Sequence, residues 1–334
     1  MRMHFTDRIP ARTFGLRSDK TVLGFAPNRS LHSSMAHVPA VDPDHTFDPS
    51  VFEAVRTWWE WPDTRAPLYL SGPAGCGKTS TVEQFLARVN APSIRLTCRA
   101  RMDKTELVGH WGASCTGFAW FDGPVVAAWR YGYVLVLNEF TLAPAHVWVS
   151  LNDVLEGAPI TIEATGEIVE RHPNARVVIT DNCALGAGST GRYRSRQAQD
   201  ASTLDRCWHV AVDWLTPADE TALIERRLVA PGLTDALRHN LADAAVRFAN
   251  ATHTPAGGEA PVCPVSTRVL VRFANLVATF VLARRSAGAS ARALLPSPVD
   301  RALDLSLAAG LDTTARAALL QHARFAFTGC DDVV

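Results

Sequence analysis

Lys78 and Thr79, Asn138 and Glu139, Asn182, Arg206 and Arg268 are the side chains whose types and order in this chain can do chemistry together. Gly72-Pro-Ala-Gly-Cys-Gly-Lys78-Thr79 fits the pattern G-x-x-x-x-G-K-[ST]. There, glycines let the backbone turn tightly and bring its N–H groups onto phosphate oxygens. The expected cradle runs over Gly72, Pro73, Ala74, Gly75, Cys76, Gly77, Lys78, Thr79 and Ser80. Lys78 is suited to reach the β- and γ-phosphates, and the Thr79 hydroxyl to hold Mg²⁺. The chemistry implied is that of a nucleoside triphosphate.

The elements around the loop must occur in the order strand, loop, helix. Leu68–Leu70 reads as a buried strand, and Ser80–Val89 as a helix whose positive dipole end adds to the anion site. An accidental Gly-rich turn would not carry that order. Further strands are expected at Ile94–Thr97, Tyr133–Leu137, Arg176–Thr180 and His209–Val212. YVLVL at Tyr133–Leu137 is a continuous apolar run of the kind buried on both faces of a parallel sheet. Ile160–Val169 has strand-turn-strand character around Thr165-Gly166. Gly109–Phe121 is rich in Gly, Trp and Phe and precedes a helical DGPVVAAWR. Pro49–Trp61 forms an amphipathic helix, and its tryptophans at 58, 59 and 61 are expected to pack under the sheet rather than to form an exposed patch.

Residues 1–45 read as an extended N-terminal arm, with Pro27–Pro43 needing a neighbour to order it. Residues 46–215 alternate strand and helix, an α/β nucleotide-binding domain with a mostly parallel sheet. After Trp214 only helices are expected, making 216–334 an α-helical lid. Its helices are expected to start at Thr216-Pro217 and to span Thr234–Ala251, Arg268–Leu282 and Thr313–Phe327. Two Gly-, Ala-, Ser- and Pro-rich loops, Thr254–Pro264 and Ala287–Pro298, interrupt them.

Composition narrows the class. The 334 residues carry 33 Lys+Arg against 33 Asp+Glu, so no global charge argues for nucleic acid or a membrane surface. With 47% hydrophobic and 20% charged residues the chain reads as globular. Seven cysteines without a C-x-x-C pair suggest reduced thiols and a cytoplasmic protein. There is no signal-peptide core and no cluster of His and Cys at metal-ligand spacing.

A phosphate-binding loop alone does not separate kinases, GTPases and ring ATPases. At the end of the third strand, VLVLNEF puts Asn138-Glu139 where the first residue supports Mg²⁺ and the second polarises the attacking water. Asn182 ends the fourth strand, Asp205-Arg206 precedes the fifth, and Arg268 opens a lid helix in PVSTR. In this order the chain resembles an AAA+ ATPase. ELVGHW at Glu106–Trp111, FDGPVVAAWR and the Ile160–Val169 hairpin are similar to the MoxR-type branch. Within it, IPARTFGL, HVPAVDPDHTFDPS, DNCALGAGSTGRY, VSTRVLVRFANL and LSLAAGLD resemble CobS-type ATPase subunits of aerobic cobaltochelatase.

That resemblance implies a P-loop parallel-sheet domain with β-hairpin insertions and an α-helical lid. It also implies that ATP and Mg²⁺ are bound by Gly72, Gly77, Lys78 and Thr79. Glu139 becomes the catalytic base, Asn182 sensor 1, Arg268 sensor 2 and Arg206 a finger supplied to the neighbouring subunit's site. The last role requires a homo-oligomeric ring, a hexamer in the family. Implied partners are a von Willebrand A-type CobT-like subunit and a large CobN-like chelatase subunit.

Three departures bear on this. Asn138 stands where members carry Asp, so the metal position made by Thr79 and Asn138 lacks a negative charge and slow turnover is expected. The Gly109–Phe121 insertion, which faces partner or pore, is shorter and carries Trp and Cys. Arg192, Arg194 and Arg196 form a basic cluster, read equally as a solvated loop or an interface. Three functions stay open: motor of a cobaltochelatase-like complex in cobalamin biosynthesis, MoxR-like remodelling ATPase acting with a von Willebrand A-type partner on another client, and ATP-binding ring scaffold with impaired hydrolysis.

Overall fold

The computed structural model describes residues 5–26, 37–62, 65–115, 117–182, 195–253, 264–287 and 295–330. The chain divides into two compact units, Met1–Asp213 and Trp214–Val334.

The first unit is built on a five-stranded parallel sheet. Its strands are β1 (Leu68–Ser71), β2 (Ser93–Thr97), β3 (Val134–Asn138), β4 (Arg176–Asp181) and β5 (Trp208–Ala211), in the spatial order β5-β1-β4-β3-β2. All six residues of β4 and the first four of β3 are buried, as befits central strands covered on both faces. The edge strands β2 and β5 alternate between more and less exposed positions. The register sets Thr180 beside Asn138 and Asp181 beside Ser71. The carboxyl ends of β1, β3 and β4 therefore finish at one level, where ligands of open α/β sheets bind.

Helix α1 (Pro49–Glu60) starts at Asp48, whose side chain accepts from the N–H groups of Ser50 and Val51, with Pro49 at the first position. It buries Val51, Phe52, Val55, Trp58 and Trp59, as the helical spacing anticipated; Trp61, just past its end, stays half exposed against Trp208. The arm is not simply extended. Asp7–Pro10 and Thr21–Gly24 pair as an antiparallel hairpin, and Phe14 sits in a ring cluster with Phe47, Phe52 and Phe85. Short strands beside Pro, Arg and Asp carry too little apolar periodicity to be read from the sequence. Of the stretch Pro27–Pro43, residues 27–36 lie outside the described residues.

Trp59 joins that hairpin to the core. Its indole N–H donates to Leu23 O at 2.7 Å, and its rings meet Phe5, Phe25 and Phe85 with no exposure of the side chain. Trp59→Ala is expected to cost about 3–5 kcal/mol, a cavity plus an orphaned carbonyl. Urea unfolding monitored by far-UV circular dichroism checks it; a loss below about 1 kcal/mol would mean that the site collapses around the gap.

Two hairpins are inserted in the sheet domain. Gly109–Ser114 pairs with Gly117–Asp122, and Ile160–Ile162 with Glu167–Val169. The second follows the sequence reading. The first was legible only as an aromatic, Gly-rich stretch, because pairing rather than alternation makes it: Trp111 stacks on Phe118 at 6.1 Å, and Gly112 leaves room for the Phe121 ring. Arg130, on the helix Pro124–Tyr131, ties the two hairpins by reaching Asp122 at 2.8 Å and Glu167 at 2.6 Å.

The second unit is helical: Pro217–Arg227, Asp235–His253, Thr267–Ser286, Pro298–Ser306 and Thr313–Ala326. Thr216, Ser266, Ser297 and Asp312 cap four of these helices through their side chains. Leu241, Ala245, Phe248, Phe273, Val277 and Phe327 form its separate core. The helix Pro298–Ser306 begins at the end of a stretch read as loop; its Ser-Pro start marks a helix N-terminus as readily as a turn. Among the described residues, no helix is long and apolar enough to cross a membrane.

Candidate nucleotide site

β1 ends at Ser71, and the loop from Gly72 to Gly77 leads into helix α2 (Lys78–Arg88). Gly72 is demanded by space: a Cβ there would lie 1.9 Å from Val212 O. Gly77 caps α2 at φ +96°, a left-handed conformation that L side chains rarely adopt. Lys78 is almost fully buried, and its ammonium donates to Gly72 O at 3.0 Å and Pro73 O at 2.7 Å. Burial lowers its proton affinity, while the nearby Cys76 and Asp181 work the other way. The cation is thus held inside the loop against carbonyls that a phosphate oxygen can replace. Ser80 turns its hydroxyl back onto Gly77 O at 2.8 Å, so it braces the first turn of the helix rather than facing the cradle.

At the end of β3, Asn138 Oδ1 accepts from Thr79 Oγ1 at 2.8 Å and from Thr180 Oγ1 at 2.9 Å. The carbonyl side of the amide therefore faces the loop threonine. A neutral oxygen acceptor beside a hydroxyl is a donor set that suits a hard cation through bridging water, though without the charge a carboxylate supplies.

Glu139 follows with φ +60°, a left-handed conformation that is uncommon for a residue with a Cβ. Asn182 Nδ2 donates to both its carboxylate oxygens at 3.0 Å. Arg196 Nη2 forms a close ion pair with Glu139 Oε2. Arg196 is thereby the residue that sequence reasoning missed. It belongs neither to a solvated loop nor to an exposed interface: only 8% of it is exposed, and Nη1 also reaches Thr141 Oγ1 at 3.3 Å and Asp181 Oδ1 at 3.5 Å. The alternating Arg192, Arg194 and Arg196 gave no sign that Arg196 turns inward; the first two lie outside the described residues.

The structure thus gathers the Gly72–Thr79 loop, Asn138, Glu139 and Asn182 at one end of the sheet. Arg206 is not among them. It precedes β5, whose Trp208 pairs with Leu68 at the start of β1, so it lies at the opposite end of the strands from the loop. Its Nε is 3.0 Å from Glu156 Oε1, and Nη1 donates to Ser202 O. Arg268 is the second residue of the helix Thr267–Ser286 in the helical unit and is exposed.

Comparison with known proteins agrees with this geometry. The family model of the AAA domain (dynein-related subfamily) matches residues 67–207. CbbQ of Hydrogenophilus thermoluteolus is 30% identical over 216 residues, 64% of this chain and 74% of that protein. NorQ of Paracoccus denitrificans is 29% identical over 161 residues, 48% of this chain and 57% of its own length. The aerobic cobaltochelatase subunit CobS of Sinorhizobium is 26% identical over 204 residues, 59% of this chain and 58% of its own. The chain belongs to the AAA family of ATPases, in the dynein-related, MoxR-like subfamily.

Proposed function

We propose that this protein is an ATP hydrolase of the MoxR type that works as one subunit of a homo-oligomeric ring and drives a partner protein on a client. The observation that carries the reading is the convergence of Lys78, Thr79, Asn138, Glu139 and Asn182 on the carboxyl ends of β1, β3 and β4. In this reading the loop from Gly72 to Thr79 wraps the phosphates of ATP, and Lys78 exchanges its carbonyl partners for β- and γ-phosphate oxygens. A Mg²⁺ ion, when bound, neutralises charge on those oxygens. Thr79 and Asn138 are the residues that would hold it. Glu139 takes a proton from the attacking water, and Asn182 orients both that carboxylate and the water. Arg206 and Arg268 complete the set as trans finger and sensor 2.

Cobaltochelatase is one client system among several for this reading. CobS is one of several relatives of comparable similarity, so metal insertion into a tetrapyrrole has no preference over remodelling of another protein with a von Willebrand A-type partner. Affinity purification in ATP and Mg²⁺ tests it: recovery of a very large chelatase subunit favours the first, and of an A-domain protein alone the second. Absence of Mg²⁺-dependent phosphate release from purified protein would sink the hydrolase reading altogether and leave a scaffold.

Asn138 gives a further expected result. Asn138→Asp adds a carboxylate beside Thr79 and is expected to lower the Mg²⁺ concentration for half-maximal hydrolysis about tenfold, the effect of roughly 1.4 kcal/mol. A Mg²⁺ titration of the steady-state rate reads it. An unchanged midpoint would show that the threonine hydroxyls around Asn138 already compensate.

A further inference from the structure

The Glu139 carboxylate is not held by its own segment alone. Its backbone sits in the left-handed region, which persists only where surrounding contacts over-determine it. The contacts come from two other segments. Asn182, at the end of β4, donates to both oxygens at 3.0 Å. Arg196, further along the chain, pairs with Oε2. A carboxylate offers about four lone-pair sites, two on each oxygen. Asn182 and Arg196 together occupy both sites of Oε2 and one of Oε1. Among the described residues, the site left open is on Oε1.

Arg196 is itself fixed on three sides. Asp181, 1% exposed, accepts from the Thr141 backbone N–H at 2.5 Å and from the Thr141 hydroxyl at 3.0 Å, and lies 3.5 Å from Arg196 Nη1. The hydroxyl of Thr141 also accepts from Arg196 Nη1 at 3.3 Å. The next residue, Gln197, donates its N–H to Thr141 O at 2.8 Å. Thr141 belongs to the short turn Phe140–Leu142 that begins directly after Glu139. One buried guanidinium therefore bridges two carboxylates, Glu139 and Asp181, and shares its anchor with the turn that carries the first of them. A fork of donors in a fixed plane can do this; a single point charge cannot reach both acids equally.

We propose that Arg196 is a positioning residue for hydrolysis: it fixes the Glu139 carboxylate so that the open site on Oε1 faces the attacking water. The inference rests on the hydrolase reading above and deepens it. Arg196 touches neither phosphate nor water in this role; it acts through Glu139.

The test uses the full chain. Arg196→Ala is expected to lower kcat about 10²-fold, the scale of a catalytic group misplaced by about 1 Å, with the KM and the equilibrium Kd for ATP near wild type. Arg196→Lys is expected to recover part of the loss, because an ammonium reaches one of the two carboxylates. In a Glu139→Gln background, Arg196→Ala should cost no further kcat, since a residue acting through Glu139 has nothing left to position. Independently of activity, the Tm losses of Glu139→Gln and Arg196→Ala should be non-additive, as for side chains in direct contact. If Arg196→Ala folds poorly, Arg196→Lys and Arg196→Gln are read in the same way. Wild-type kcat in a folded Arg196→Ala protein, or fully additive effects in both kcat and Tm, would overturn the positioning role and leave the hydrolase reading standing. A wild-type protein that turns over no ATP would overturn both.

Discussion

Lys78→Ala is expected to abolish ATP binding. The Lys78 side chain is buried in the loop, and its ammonium sits 3.0 Å and 2.7 Å from the carbonyls of Gly72 and Pro73. A cation already stripped of most of its water interacts strongly with a polyphosphate, because little solvent remains to screen it. Truncating one partner of a buried, hydrogen-bonded charge pair costs roughly 2–5 kcal/mol, or about 30-fold to about 4,000-fold in Kd. The substitution also leaves two loop carbonyls without their donor, so Tm is measured alongside. Equilibrium binding of a fluorescent ATP analogue decides the matter. Wild-type affinity in a folded mutant would remove the loop from the nucleotide site.

Arg206→Ala is expected to leave ATP affinity intact and to lower hydrolysis on the order of 10³-fold, the effect of withdrawing a guanidinium from the γ-phosphate in the transition state. The position of Arg206 makes this a question about two subunits. β5 runs parallel to β1 with Trp208 opposite Leu68 and Ala211 opposite Ser71, and Arg206 lies before that first pair. At about 3.3 Å per residue the loop that follows Ser71 starts roughly 10 Å further along the strands, beyond what the side chain can span to its own γ-phosphate. An arginine acting on hydrolysis from there serves another subunit's site.

Mixing Arg206→Ala with Glu139→Gln subunits is therefore expected to restore part of the activity, because some interfaces then pair an intact Glu139 with an intact Arg206. The bland alternative is a structural ion pair. Arg206 Nε lies 3.0 Å from Glu156 Oε1, with about a quarter of the arginine side chain and half of the glutamate exposed. Such a pair contributes about 0–1 kcal/mol, so its loss alone should leave a folded, active protein. Unchanged hydrolysis in that protein would exclude the trans finger. Failure to recover on mixing, with subunit exchange shown separately, would overturn the trans finger and leave Arg206 with an indirect effect on hydrolysis.

Much of the site could be read before any coordinates. G-x-x-x-x-G-K-T between an apolar run and a helix names its own geometry, because the glycines, the lysine and the hydroxyl each answer to one requirement of a bound phosphate. The strand ends carrying Asn138 and Asn182 were legible for a related reason: apolar runs such as VLVL and VVI are buried on both faces, and the polar residues that follow them stand at the carboxyl edge of the sheet. Family resemblance was legible too, although not which client the family member serves. A client is chosen by exposed hairpins and partner surfaces, and these carry few residues that chemistry restricts.

Tertiary structure alone decided what depends on juxtaposition between distant segments. Arg196 lies 57 residues from Glu139, and no local pattern separates it from Arg192 and Arg194, four and two positions earlier. It turned inward because a buried Asp181 and the carboxylate of Glu139 together repay the desolvation of one guanidinium. The orientation of Asn138 is of the same kind, set by hydroxyls from α2 and β4 that meet only when β3 lies between its neighbours in register. So is the aromatic hairpin Gly109–Asp122, whose strands exist through their pairing and not through alternation. Residue types and short spacings determine which chemistry is available; the packing of separate strands determines which charges meet.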